Sequence, residues 1–197
     1  IFGSVGEGDG QFIWPTSIVV DSQGDVYVSD EYLNRISVFD PSGKFIRKWG
    51  TSGNATGELN GPSGMALDAN ENLYIVDHKN SRVQKFSQYG DCLHSFGING
   101  HNDGQLKMPW GITVAPNGDV YVSDWGNDRI QRFTADGSFV STIGNNGDGQ
   151  LCRPAGVAVD QGSFVYVADW GNNLLQVFDG NGNFVTSAKG EATLSTW

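Results

Sequence analysis

Four prolines set the strongest constraint on this chain. Pro15, Pro62, Pro109 and Pro154 fall 47, 47 and 45 residues apart, and the same intervals separate Asp30, Asp77, Asp124 and Asp169. Each proline follows a Gly-Gln or Gly-Glu pair: Gly10-Gln11, Gly57-Glu58, Gly104-Gln105 and Gly149-Gln150. A sequence that repeats at this period folds as one supersecondary unit stacked on copies of itself. The two-residue shortening falls in 144–150, where a loop absorbs it.

Inside each repeat the pattern has period two. An apolar run follows the proline (Ile18-Val19-Val20, Met65-Ala66-Leu67, Ile112-Thr113-Val114, Val157-Ala158-Val159). A Gly-containing turn leads to a second strand, Val26-Tyr27-Val28-Ser29-Asp30 and its echoes at 120–124 and 165–169. A third strand follows (Arg35 to Phe39, Arg129 to Phe133), then another Gly turn and a last strand such as Phe45 to Trp49. Four short antiparallel strands in about 45 residues describe a propeller blade. A helical solenoid is excluded because no stretch of useful length has period 3.6. A β-sandwich would not repeat itself four-fold. The fold class is therefore all-β: a β-propeller of four four-stranded antiparallel blades, at approximately 10–50, 57–97, 104–144 and 149–190.

The residue series also resembles a known family. Pro-x-Gly, apolar-Ala-apolar-Asp, apolar-Tyr-Val-x-Asp and Asn-x-Arg-apolar-Gln together look like the NHL repeat. The closest copy runs from Pro109-Trp110-Gly111-Ile112 to Asp124-Trp125-Gly126-Asn127-Asp128-Arg129-Ile130-Gln131. The fourth repeat departs at Leu174, where the others have Arg35, Arg82 and Arg129. The resemblance implies a ring of six blades. Four are present, so the chain is expected to be an open arc from a larger ring. Residues 1–3 then read as the tail of a preceding strand and 191–197 as a non-repeat tail leading onward. The chain opens on Ile1 rather than Met, which fits a trimmed precursor or a larger parent. Blade faces left bare at the two ends are expected to favour self-association.

Strand alternation places the loops between blades on the same face as the loops joining second and third strands. That face gathers Trp14, Tyr32, His78, His101, Lys107, Trp110, Trp125, Arg153 and Trp170. Aromatics with a polar edge suit a protein, peptide or small ligand. The expected site is therefore Trp14, Tyr32, His78, His101, Trp110, Trp125, Arg153 and Trp170, in a binding module that is not catalytic; the competing role for these aromatics is to cover the seams between blades. Asp30, Asp77, Asp124 and Asp169 recur in every repeat. They are expected to hold the following turn, with the arginine five residues on as ionic partner, rather than to perform acid–base chemistry. Asp9, Asp103 and Asp148 read as turn residues, because calcium-loop spacing is absent.

The resemblance also implies alternatives. Some NHL propellers are zinc-dependent lyases, related propellers are calcium-dependent lactonases, and some NHL domains bind RNA. The three histidines, His78, His94 and His101, do not supply a three-His zinc site on this face. No cofactor is expected, with zinc or calcium reserved for the enzyme alternative. There are 12 Lys and Arg against 22 Asp and Glu, a net charge of −10, which argues against a phosphate-backbone binder. No apolar run spans a membrane, and a soluble protein is expected. Cys92 and Cys152 are too few for a disulfide framework, and the compartment stays open.

Overall fold

The computed structural model describes residues 2–145 and 147–189. They form four four-stranded antiparallel sheets, one per repeat, each strand pairing with the next in sequence. No α-helix occurs among the described residues; three single 3-10 turns, His78–Asn80, Trp125–Asn127 and Trp170–Asn172, follow the recurring aspartates. The all-β propeller architecture holds. The strands Pro15–Val20, Pro62–Leu67, Ile112–Val114 and Pro154–Val159 neighbour one another from blade to blade and are the innermost. Ser4–Val5 pairs in parallel with Gln11–Phe12. The same contact recurs between later blades as Ser52 with Leu59 and Asn99 with Leu106, so the N-terminal segment occupies the place of a preceding strand's exit. Ile1 and the expected tail at 191–197 lie outside the described residues.

The seams between blades are the core. Tyr27, Ile36 and Val38 of the first blade pack on Met65, Leu73, Ile75 and Phe86 of the second. Tyr74, Val76 and Val83 then pack on Ile112, Val120, Val122 and Phe133. Tyr121, Ile130 and Ile143 complete the series against Val165, Val167 and Phe178. Alternation makes this work, because odd and even positions of each strand face opposite neighbours. Burying one such side chain is worth about 1.5–3 kcal/mol.

Near the axis the inner strands come closer than side chains allow. Gly64 donates its N–H to the Trp110 carbonyl at 2.9 Å, and the Ser63 hydroxyl donates to the same oxygen at 2.9 Å. A Cβ on Gly111 would sit 2.3 Å from the Ala155 carbonyl oxygen. At Gly64 and Gly111 the glycine of Pro-x-Gly is thus a spacing requirement between blades.

Burial of the first seam also perturbs a tyrosine. Burial pushes the Tyr27 phenol up to about 12, the Arg47 guanidinium pulls it back, and Asp21 raises it further. An unfolded chain releases this proton near the ordinary value of about 10. The stability linked to Tyr27 is therefore complete below about pH 10 and is lost as pH rises through 12. In an alkaline titration the Tyr27 component of the tyrosinate absorbance is expected to rise above the free-tyrosine range, together with loss of the sheet signal. Tyr27→Phe should remove the latest-titrating component; an unchanged profile would refute the assignment.

The last blade leaves one sheet face largely exposed, and on the first blade Phe2 and Phe12 cover Phe39 while Ile18 and Val20 of the inner strand stay bare. Ile36, Val83 and Ile130 are fully buried at one repeat position, whereas Leu175, their counterpart in the fourth blade, is 45% exposed. On the other end Ile18 is 60% exposed where its counterpart Met65 is 5%.

Candidate functional site

Each recurring aspartate is a buried clasp. Asp77 Oδ1 accepts the Asn60 N–H at 2.7 Å, while Oδ2 accepts from Asn80 Nδ2, Arg82 Nε and Gln84 Nε2 at 2.9, 2.7 and 3.2 Å. Asp124 repeats the set with Lys107 N–H, Asn127, Arg129 and Gln131. Asp169 keeps Cys152 N–H, Asn172 and Gln176, and Leu174 leaves it without an arginine. A fully hydrogen-bonded carboxylate at 0–1% exposure is a structural group. It holds the following turn, as expected from the sequence, and ties the inter-blade loop and the third strand to the same point.

The first blade differs. Asp30 accepts four backbone N–H groups, from Ile13, Trp14, Tyr32 and Leu33. Arg35 does not pair with it, contrary to the sequence expectation, but donates to the carbonyls of Glu7, Gly8 and Gln11 as Arg82 does to those of Asn54, Ala55 and Glu58. The side chains that brace the carboxylate in the other blades are also missing: Leu33 stands in the place of Asn80, Asn127 and Asn172, and Ser37 in that of Gln84, Gln131 and Gln176.

With the loops held this way, three positions per blade lie at the mouth end of the sheet: the residues before and after the proline's own place, and the residue after the aspartate. They read Trp14, Thr16 and Glu31; Gly61, Ser63 and His78; Met108, Trp110 and Trp125; Arg153, Ala155 and Trp170, with those of the second blade buried. The scaffold residues recur, whereas among these only the tryptophan of Trp125 and Trp170 repeats. His78, Met108, Trp110, Trp125, Ala155 and Trp170 enclose a cavity of about 330 Å³. His78 is buried, its ring edge-on to Trp110 at 5.1 Å, with Nδ1 2.9 Å from the Pro109 carbonyl. A carbonyl only accepts, so Nδ1 carries the proton. Trp170 is 60% exposed and forms the outer lip. The Arg153 guanidinium lies over the Trp125 ring, 5.1 Å from its centroid.

Thus the structure brings His78, Trp110, Trp125 and Trp170 together, with Arg153 beside them. Trp14 and Tyr32 stand largely exposed on the first blade and do not line the cavity. His101 is on the exposed rim, its Nδ1 2.8 Å from Asn127 Oδ1, also away from the cavity. Met108 and Ala155 were missed by aromatic content alone, although aligning the repeats around each proline finds them. Among the described residues no group of three or more His, Cys, Asp or Glu is placed to hold a metal. Burial raises the Cys92 thiol, the wrong direction for a nucleophile.

Comparisons with known proteins extend this description. A family model described as 6-bladed beta-propeller matches residues 3–95, and the NHL repeat model matches 106–133 and 151–178. The chain belongs to the NHL-repeat β-propeller family. Among NHL relatives, Protein lin-41 of Caenorhabditis elegans is 47% identical over 47 residues, 24% of this chain and 4% of that protein. E3 ubiquitin-protein ligase TRIM71 of Rattus norvegicus is 45% identical over 47 residues, 24% of this chain and 6% of that protein. The match therefore spans a small part of the relatives' length. Among solved structures, virginiamycin B lyase from Staphylococcus aureus superposes with a TM-score of 0.71 at 20% identity, covering 91% of this chain and 56% of that one. A protein of unknown function from Bacteroides caccae gives 0.69 at 16%, covering 92% and 69%. At such identities the NHL arc and these structures share a fold. No described helix is long and apolar enough to cross a membrane.

Proposed function

We propose that this NHL propeller is a recognition module without catalytic chemistry of its own, holding a protein or peptide segment at the mouth. One observation carries the reading: blade-stabilising residues repeat while the twelve mouth positions vary, save for the shared tryptophan of Trp125 and Trp170, and variation has built an aromatic cavity on one side only. Trp and Tyr offer large contact area with few rotamers to freeze, which suits recognition. Relatives named as ubiquitin ligases carry the matched stretch as a small fraction of their length, which fits an accessory module.

Panning a random-peptide phage library on the whole chain tests this. Enriched peptides are expected to quench tryptophan fluorescence and to lose at least about tenfold in affinity for a Trp125→Ala, Trp170→Ala double variant, the scale of one hot-spot loss. Equal binding to both proteins would remove the site. Stoichiometric zinc or calcium in the purified protein, bound at the mouth, would favour the metal-dependent lyase or lactonase alternative instead.

The bare end faces carry a second expectation. The four-blade chain should self-associate in a concentration-dependent way, seen by sedimentation velocity, and Ile18→Lys with Leu175→Lys should shift it towards monomer. A monomer at all concentrations for the parent chain would show that these faces are not sticky.

A further inference from the structure

We propose that the mouth reads an acidic residue two positions from a bulky apolar one in an extended peptide, the apolar side chain entering the tryptophan cavity and the carboxylate pairing with Arg153. This rests on the peptide-binding reading above. The argument starts from how arginines are used in this chain. Arg35 and Arg47 hold carbonyls, while Arg82, Arg129 and Arg132 hold buried or half-buried carboxylates. Arg153 alone has a guanidinium with no hydrogen-bond or ion-pair partner among the described residues, in a protein of net charge −10. Its backbone N–H donates to Asp128 Oδ1 at 2.7 Å, and its guanidinium carbon lies over the Trp125 ring, 5.1 Å from the centroid.

Arg153 also marks where the aromatic cavity continues. A second depression, of about 460 Å³, adjoins the first; Trp170 lines both, and Arg153, Asp128 and Asn173 line only the second. A ligand crossing Trp170 passes from an almost wholly apolar wall to a polar one that carries the Arg153 cation and the Asp128 carboxylate, whose Oδ1 already accepts the Arg153 N–H. An extended chain turns successive side chains to opposite faces and advances about 3.3 Å per residue, so side chains two positions apart share a face and reach both. A guanidinium fork matches one carboxylate in a bidentate pair, and its place over the Trp125 ring sets it beside the cavity. A nucleic acid is disfavoured here, because the acidic chain offers no stripe of cations along which a phosphate backbone can run.

The experiment uses immobilised peptides Gly-Ser-Gly-X-Ser-Z-Gly-Ser-Gly, with X and Z each drawn from all twenty residues, probed with the whole chain and its variants. Retained peptides are expected to pair Leu, Ile, Phe or Trp with Asp or Glu. Exchanging the acid for its amide should weaken binding about tenfold, as for loss of a charge-assisted hydrogen bond. Arg153→Gln should abolish that acid preference while keeping the apolar one, and Arg153→Lys should restore part of it. Binding that depends on Trp125 and Trp170 but ignores Arg153 would overturn this inference and leave the recognition module standing. Binding indifferent to Trp125 and Trp170, or an array that retains nothing, would overturn both. Preference for basic peptides, or competition by poly(U) at the same face, would also overturn it.

Discussion

Asp124→Ala is expected to cost about 3–5 kcal/mol of stability, the range for breaking a buried ion pair by removing one member. The carboxylate is fully buried and accepts from Lys107 N–H, Asn127, Arg129 and Gln131. Its removal takes the close counter-charge from a buried guanidinium, which keeps the Asn102 and Gln105 carbonyls, and leaves Asn127 and Gln131 with one carbonyl partner each. Asp30→Ala is the internal comparison. Its ligands are four backbone N–H groups, and Arg35 keeps its own carbonyl partners, so no buried cation loses its counter-charge. The loss there should be smaller by about 1–2 kcal/mol, given the larger cost of orphaning a charged group. Urea titrations followed by sheet circular dichroism compare the two. Amide exchange at Lys107 should accelerate selectively in Asp124→Ala. Equal losses at both sites would show that the ionic partner adds nothing to the clasp.

The second large effect is expected at the Pro-x-Gly glycines. Gly111→Ala places a methyl 2.3 Å from the Ala155 carbonyl oxygen, a backbone atom that cannot rotate away, so the inner strands of two blades must part. Overpacking of this kind costs about 1–3 kcal/mol or more. Gly156→Ala occupies the same repeat position, but its methyl meets only the Ala168 Cβ at 3.5 Å, an ordinary contact. That variant should be neutral, or more stable by about 0.4–1 kcal/mol through the unfolded chain. Thermal melting of the pair decides it. If both variants lose stability alike, the glycine is required for the strand itself and not for the blade-to-blade approach.

The blade was legible because its requirements recur: prolines, aspartates and alternating strands state the same unit four times. The clasp was only half legible. An aspartate with an arginine five residues on suggested an ion pair, but Gln84, Gln131 and Gln176 bond the same carboxylate from seven residues on. Without that partner the missing brace at Ser37 could not be anticipated. The mouth was legible as a face and not as a cavity. Trp14 and Tyr32 sit on that face as expected, yet the cavity takes its walls from the second, third and fourth blades. Which tryptophans converge depends on ring rotamers and on the left-handed backbone at Met108 and Arg153, at φ 48° and 51°, and neither is written in strand alternation.

The clasp places the fixed work of each blade in a carboxylate one residue away from a mouth position. A change at Glu31, His78, Trp125 or Trp170 therefore leaves the hydrogen-bonding set of Asp30, Asp77, Asp124 or Asp169 in place. Duplicated units built this way can drift in what they read while staying above the threshold of foldability, since the drift falls where little stability is stored. Specificity in such a chain evolves by near-neutral steps, and a lopsided mouth, its cavity walled by the second, third and fourth blades while Trp14 stands apart on the first, is the record such drift leaves.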